Sequence, residues 1–309
     1  MGRLVSVGNV IVDITLQVDA MPEPGGDVVA AASGMAAGGG LNTLVAARRD
    51  GAEVVFAGQY GTGPFGDIVR AALVDADVQV VQPGIADVDS GYCIALTDAS
   101  AERTFITSVG AEGRLDTGDL ARIRLREDDT VLVSGYGLAH PVNAAAISTW
   151  LAGIPAAVRV VFDPSPLVAT LPPGSLADVL RRADVVSVNA REAMLLTRGA
   201  ASLAGAAVLL AERVGGAVLV RDGAAGCWIA RQGLAPELVS GFAVDAVDTN
   251  GAGDTHDGVL IAALSRGDDL RHATRRANAA AAIAVTRRGP ATAPHAAEID
   301  HLLEAARER

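Results

Sequence analysis

The chain has 309 residues, a formal net charge of −11 at pH 7, and 25 basic residues that are all arginine. The length suits one large α/β domain with additions. The acidic balance argues against nucleic acid as a partner, since phosphate backbones are bound through basic patches. The absence of lysine excludes a Walker A lysine, a Schiff-base lysine and the β3 lysine of protein kinases.

In chain order, residues 4–12 read as an apolar first strand, with none of the charged start and cleavage site of a leader. No apolar run reaches membrane-spanning length. A cytoplasmic location is the expectation, and Cys93 and Cys227 read as core thiols rather than a disulfide. Further strands are expected at 53–58, 131–134, 158–163, 184–188, 217–221 and 226–231. Helices are expected at 41–50, 65–76, 142–153, 175–182 and 200–215. Apolar strands alternating with helices predict a parallel sheet covered on both faces, a Rossmann-like α/β three-layer sandwich. Residues 14–36 and 90–109 differ: they are extended, alternating and broken by turns. They read as two insertions that pair into a small separate sheet over a ligand site.

Several short motifs lie on this frame. Gly38-Gly39-Gly40-Leu41-Asn42 brings flexible backbone and an amide to the start of a helix, although a plain loop and cap would look the same. Gly61-Thr62-Gly63-Pro64-Phe65-Gly66 matches G-x-G-x-x-G, with Asp87 and Asp89 further on, the pattern of a dinucleotide site. Pro64 within the turn and the position outside the first βα unit weigh against that reading. Asn189-Ala190-Arg191-Glu192 follows a strand and suits water-mediated Mg²⁺ and phosphate, or a simple helix cap. Residues 218–226 read as strand, glycine turn, strand. The run 241–247 is apolar and β-branched enough for a strand. Residues 276–289 form a small-residue helix closed by a glycine.

The most informative segment is Asp248-Thr249-Asn250-Gly251-Ala252-Gly253-Asp254, before a buried helical run at 259–264. A Gly-Ala-Gly turn at a helix N-terminus presents backbone N–H groups to an anion. Asp254 then stands beside a phosphate nest, where a carboxylate can take the proton from an attacking hydroxyl.

Taken in order, these motifs resemble the ribokinase-like (PfkB) family of carbohydrate kinases over about residues 3–305. The resemblance is carried by 38–67 and by 247–258, and the tail resembles the ribokinase branch. It implies one ribokinase-like domain over 1–309, with a β-sheet lid from about 14–36 and 90–109 that often forms a dimer interface. The resemblance implies Asp254 as catalytic base and Gly251, Ala252 and Gly253 as the anion hole. It implies Asp13, Gly38, Gly39 and Asn42 as sugar ligands. Asn189, Glu192, Arg221, Gly223, Gly226 and Asn278 would border ATP, with Glu192 reaching Mg²⁺ through water. Asp248 with Asn250, Ala284, Arg287 and Gly289 would hold a monovalent cation, K⁺.

The chain departs from the family pattern in several places. Ala37 replaces a glycine, and Gly39 stands where a lysine is frequent, which disfavours an anionic acceptor. Arg221-Asp222 replaces Thr-Leu, His256-Asp257 replaces Phe-Asn, and Thr292 or Ala293 replaces a cation-site serine. The reading is an ATP-dependent kinase acting on a primary hydroxyl of a sugar. A nucleoside kinase of the same fold is the alternative, with Phe65, Tyr92, Phe105 or Tyr136 to stack a base. A catalytically silent sugar- or nucleotide-binding regulator is the reading from another class.

Overall fold

The computed structural model describes residues 2–100 and 102–307. Thirteen strands divide between two sheets among the described residues. The large sheet uses β1 (Arg3–Ser6), β4 (Glu53–Phe56), β5 (Gln79–Val80), β8 (Thr130–Ser134) and β9 (Arg159–Asp163). It continues with β10 (Val185–Asn189), β11 (Ala217–Arg221), β12 (Gly226–Arg231) and β13 (Glu237–Ser240). The strand order is β13-β12-β11-β10-β9-β8-β1-β4-β5. The pairs from β5 to β11 are parallel, whereas β11–β12 and β12–β13 are antiparallel. The expected parallel sheet is therefore mixed, because the turn at 222–225 is too short for a parallel crossover.

Along the parallel strands, consecutive side chains enter opposite cores, as the period of two requires. Leu4, Leu132 and Leu219 pack in one core, and Val5, Val131 and Val218 pack in the other. The first core is covered by α1 (Leu41–Arg49), α2 (Pro64–Asp75), α9 (Ala252–Arg266), α10 (Leu270–Ala284) and α11 (Ala296–Ala305). The second is covered by α3 (Thr117–Leu120), α4 (Gly135–Leu138), α5 (Pro141–Leu151), α6 (Pro173–Arg182), α7 (Ala190–Thr197) and α8 (Leu203–Ala211). Proline at the first helical position starts α2, α5 and α6, where its missing N–H costs no hydrogen bond. No helix among the described residues is long and apolar enough to cross a membrane.

The expected first strand, 4–12, is two strands in two sheets. β1 ends at Ser6, and the chain passes Gly8 and Asn9 into β2 (Val10–Gln17) of the small sheet. The Ser6 hydroxyl accepts from the Gly8 N–H at 3.3 Å, and the Asn9 carbonyl accepts from Gly40 at 2.8 Å, so the ladder of β1 stops there. The small sheet runs β3 (Ala32–Gly39), β2, β6 (Tyr92–Thr97) and β7 (Arg103–Ser108). Residues 241–247 form no strand. β13 lies at the sheet edge, and the chain leaves it at Ser240 to reach the start of α9.

Candidate active site

The G-x-G-x-x-G turn is filled by the protein's own anion. Asp89 accepts from the N–H of Gly66 at 2.7 Å and of Phe65 at 3.2 Å, at the N-terminus of α2. A pyrophosphate has no place where that carboxylate already satisfies the helix end.

The other candidate residues gather at the carboxyl ends of the parallel strands, where ligands of open α/β sheets bind. Gly251 is the N-cap of α9, and its φ of +71° lies in the left-handed region. No side chain caps this helix; the Ala252 N–H is taken by the Thr249 carbonyl at 3.4 Å, which leaves the N–H groups of Gly253 and Asp254 at the open end of its first turn. Such groups at the positive end of a 15-residue helix suit a phosphoryl group.

Asp254 is aimed by α1. Thr43 Oγ1 donates to its Oδ1 at 3.1 Å, and Asn42 Nδ2 donates to its Oδ2 at 3.3 Å. Asn42 Oδ1 in turn accepts from the Ala291 N–H at 2.8 Å, which fixes the amide's orientation. Burial raises the Asp254 carboxyl above the ordinary range, the bonds from Thr43 and Asn42 pull it down, and the Asp257 charge pushes it up again. Asn42, expected to contact a sugar, thus has its amide on Asp254. Thr43 was not singled out from sequence; its only signal is a polar pair in the first turn of a helix with an otherwise apolar buried face.

Asp13 approaches from the small sheet, in register with Ala36 on β3 and Cys93 on β6. A Cβ at Gly38 would stand 1.9 Å from Asp13 Oδ2, so any side chain there would displace that carboxylate. Gly39 has φ +60° and its backbone N–H binds the same carboxylate. Desolvation, and then the charge of Asp254, push Asp13 up to about 6. The Tyr136 side chain is part-exposed, and desolvation and the Asp254 charge push its phenol up to about 12, so it stays protonated. Phe65 and Tyr92 pack on each other with centroids 5.0 Å apart, while Phe105 is exposed on β7.

On the opposite side, Asn189 and Glu192 form a capping box at the start of α7. Asn189 Oδ1 accepts from the Glu192 N–H at 2.9 Å, and Glu192 accepts from the Asn189 N–H and amide at 2.8 and 2.7 Å. Both carboxylate oxygens of Glu192 are thereby oriented. Arg221, at the end of β11, donates to Asp257 at 2.8 Å, Ser187 at 2.9 Å and Asp163 at 3.1 Å. The segments 221–222 and 256–257, two departures in the sequence, therefore meet as a buried ion pair. Burial raises Asp163, while Arg221 holds Asp257 far below the usual carboxylate range against its own burial. Asp163 was also missed from sequence, although a carboxylate ending a parallel strand is the available signal.

Gly223 has φ +53° with open space where a Cβ would lie, whereas a Cβ at Gly226 would meet the Val239 carbonyl at 2.1 Å. The Asn278 amide is engaged by His256 Nε2 at 3.2 Å and by the Val239 and Ser240 carbonyls at 2.9 and 3.2 Å. Asp248 accepts from Arg103 at 2.7 Å, from the Asn250 N–H at 3.0 Å and from the Gly289 N–H at 3.3 Å. The Ala284 carbonyl lies on the same pair of loops and accepts from the Arg287 N–H at 3.0 Å. Arg287 closes the second loop through the Thr292 carbonyl at 3.2 Å.

The chain matches the model of the pfkB family of carbohydrate kinases over residues 1–297. It is 29% identical over 300 residues to the sugar kinase YegV of Escherichia coli, covering 95% of this chain and 91% of that protein. It is 31% identical over 301 residues to the ATP-dependent ribose-1-phosphate kinase of Halopiger xanaduensis, covering 96% of each. In fold it is similar to the ribokinase of Arabidopsis thaliana complexed with ribose and ATP. The TM-score there is 0.80 at 23% identity, over 98% of this chain and 99% of that one.

Proposed function

From its membership of the pfkB family of carbohydrate kinases, to which this chain belongs, we propose that it is an ATP-dependent sugar kinase whose general base is Asp254. The observation that carries the assignment of the base is the carboxylate of Asp254 in the first turn of an uncapped helix, held by Thr43 and Asn42. Asp13 accepts hydrogen bonds from acceptor hydroxyls and turns one primary hydroxyl toward Asp254. Asp254 takes the proton of that hydroxyl, the oxygen attacks the γ-phosphorus in line, and ADP leaves. The first-turn N–H groups of α9 take up charge on the transferring phosphoryl group. The small sheet closes over the acceptor and keeps out water, the competing nucleophile.

The oxygen donors of Asn189 and Glu192 suit a hard cation such as Mg²⁺ carried by the ATP phosphates, with Glu192 acting through water. Bound there, Mg²⁺ would neutralise phosphate charge. Asp248 and the carbonyls of the 248–250 and 284–289 loops offer an oxygen set of the type that suits K⁺, with Arg103 sharing the Asp248 carboxylate. Replacing K⁺ by choline in the assay tests that site. The apolar side chains of Met35 and Ile106, exposed on the face of the small sheet opposite Asp13, support a homodimer through that outer face, and sedimentation tests it. A cytoplasmic location belongs to the same reading.

A neutral sugar is favoured over a sugar phosphate, because Asp13 and Asp254 both face the acceptor and Arg103 is committed to Asp248. A nucleoside is disfavoured because Phe65 and Tyr92 pack against each other, tilted by 49°, rather than leaving a slot for a base. Coupled ADP release with Mg-ATP over pentoses, hexoses, ribose 1-phosphate and nucleosides tests the proposal. Turnover on a neutral sugar supports it; turnover confined to a phosphorylated sugar or a nucleoside overturns the acceptor class. ATP binding without turnover on any acceptor would favour a silent binder.

A further inference from the structure

Arg221 is held in an unusual way for a residue that only balances charge. Its guanidinium is clamped by Asp257, Ser187 and Asp163, with Glu192 3.9 Å away. Asp257 accepts a 2.6 Å bond from the Ser187 hydroxyl as well, so the carboxylate does not depend on the arginine alone for hydrogen bonds. A buried ion pair is a weak source of stability, since apolar residues of similar volume often serve equally well. The pair therefore calls for a use of the charge.

The position of the guanidinium supplies that use. A Cβ built at Gly253 would stand 3.4 Å from both Cζ and Nη2 of Arg221. The guanidinium thus lies against the Gly253 end of the Gly251-Ala252-Gly253 turn, and its side chain keeps 13% exposure there. Both N–H groups of Nη1 are used, by Ser187 and Asp257. Nη2 spends one on Asp163, which leaves its second N–H, on the nitrogen nearer Gly253, for a ligand. Lysine is absent from the whole chain, so any permanently charged side-chain cation at the phosphoryl site must be an arginine.

We propose that Arg221 is a catalytic residue that binds the transferring phosphoryl group through Nη2, beside the N–H of Gly253, and is pre-positioned for this by Asp257 and Asp163. This rests on the kinase reading above. A planar donor fixed by two carboxylates needs no reorganisation as charge develops on the phosphoryl oxygens. The five-donor guanidinium can serve Asp257 and a phosphoryl oxygen at the same time; an ammonium on a shorter stem cannot bridge both.

The test separates this role from that of a counter-ion. Arg221→Gln, Asp257→Asn and the double variant are assayed for kcat, acceptor KM and ADP affinity, with circular dichroism to confirm folding. Removing only a counter-ion leaves Asp257 unpaired, and the double variant then regains wild-type kcat. If Arg221 binds the phosphoryl group, kcat stays down about a hundredfold or more in the double variant, while ADP affinity changes by less than about threefold. Recovery of kcat in the double variant overturns the proposal. Arg221→Lys keeps the charge and the pair with Asp257, so it folds whatever becomes of the double variant. Its kcat is expected to fall at least about tenfold at unchanged ADP affinity, and wild-type kcat in Arg221→Lys also overturns the proposal. Wild-type protein that turns over no acceptor defeats the kinase reading instead, which keeps the two failures apart.

Discussion

Thr43 Oγ1 donates a 3.1 Å hydrogen bond to Asp254 Oδ1 across 211 positions of sequence. The carboxylate proposed as the base is therefore aimed by the helix that follows the glycine motif, and not by its own helix. Because the hydroxyl favours the ionised form, it offsets part of the rise that burial causes. A base must be ionised to accept a proton, so activity rises with pH through the Asp254 pKa. Thr43→Val should raise that pKa further and move the acid limb of kcat/KM to higher pH. At neutral pH kcat should fall about tenfold. A profile whose acid limb stays in place would separate Thr43 from the base.

Asp254→Asn should lower kcat by at least about a thousandfold while ADP affinity stays within about threefold, since the base acts in the transition state. Isothermal titration with ADP and single-turnover kinetics check the two halves. Residual turnover with lost nucleotide binding would contradict the role.

Asp13 loses its charge near pH 6, because desolvation and the Asp254 charge both favour its protonated form. The carboxylate accepts hydrogen bonds from sugar hydroxyls on both oxygens only when ionised. Acceptor KM should therefore rise as pH falls through about 6, with little change in ATP KM. Asp13→Asn should raise acceptor KM at pH 8 by about tenfold and flatten this pH dependence. Equal changes in the two KM values would place Asp13 away from the acceptor.

Asp50, fully buried at the end of α1, joins three helices. It accepts from Arg266 Nη2 at 2.8 Å on α9 and from Arg276 Nε at 2.9 Å on α10. Asp50→Ala leaves two arginines without their shared carboxylate and should cost about 3 kcal/mol in urea unfolding. ADP release per folded molecule should be unchanged, because Asp50 lies at the far end of α1 from Thr43. A loss below about 1 kcal/mol would show that solvent re-pairs both arginines.

Much of the frame is legible in the sequence because it is local. The alternation that sends Leu219 to one core and Val218 to the other is a period of two. The Asn189–Glu192 capping box spans three residues and forms within one helical turn. The Gly251 turn and the helix after it follow from glycine's left-handed φ and an apolar run. Where local signals mislead, tertiary context intervenes. Residues 4–12 read as one strand, but the close approach of Asn9 to Gly40 divides them between two sheets. Residues 241–247 have strand composition but leave the sheet, since the chain must reach α9.

By itself, then, the sequence determined the alternating α/β class, the two extended insertions, and the Gly-Ala-Gly turn with an acidic residue beside it at a helix start. All of these depend on near neighbours, through backbone dihedrals, caps and side-chain period. Only the tertiary structure decided which groups aim Asp254, that Asp89 fills the second glycine-rich turn, and that Arg221 meets Asp257 and Asp163. Those contacts join strand ends and helix starts far apart in sequence, and they exist because the order β11-β10-β9 places those ends side by side. Periodicity encodes the face a residue occupies but not the strand that lies next to it, so the charges of the site find their partners only when the sheet is assembled.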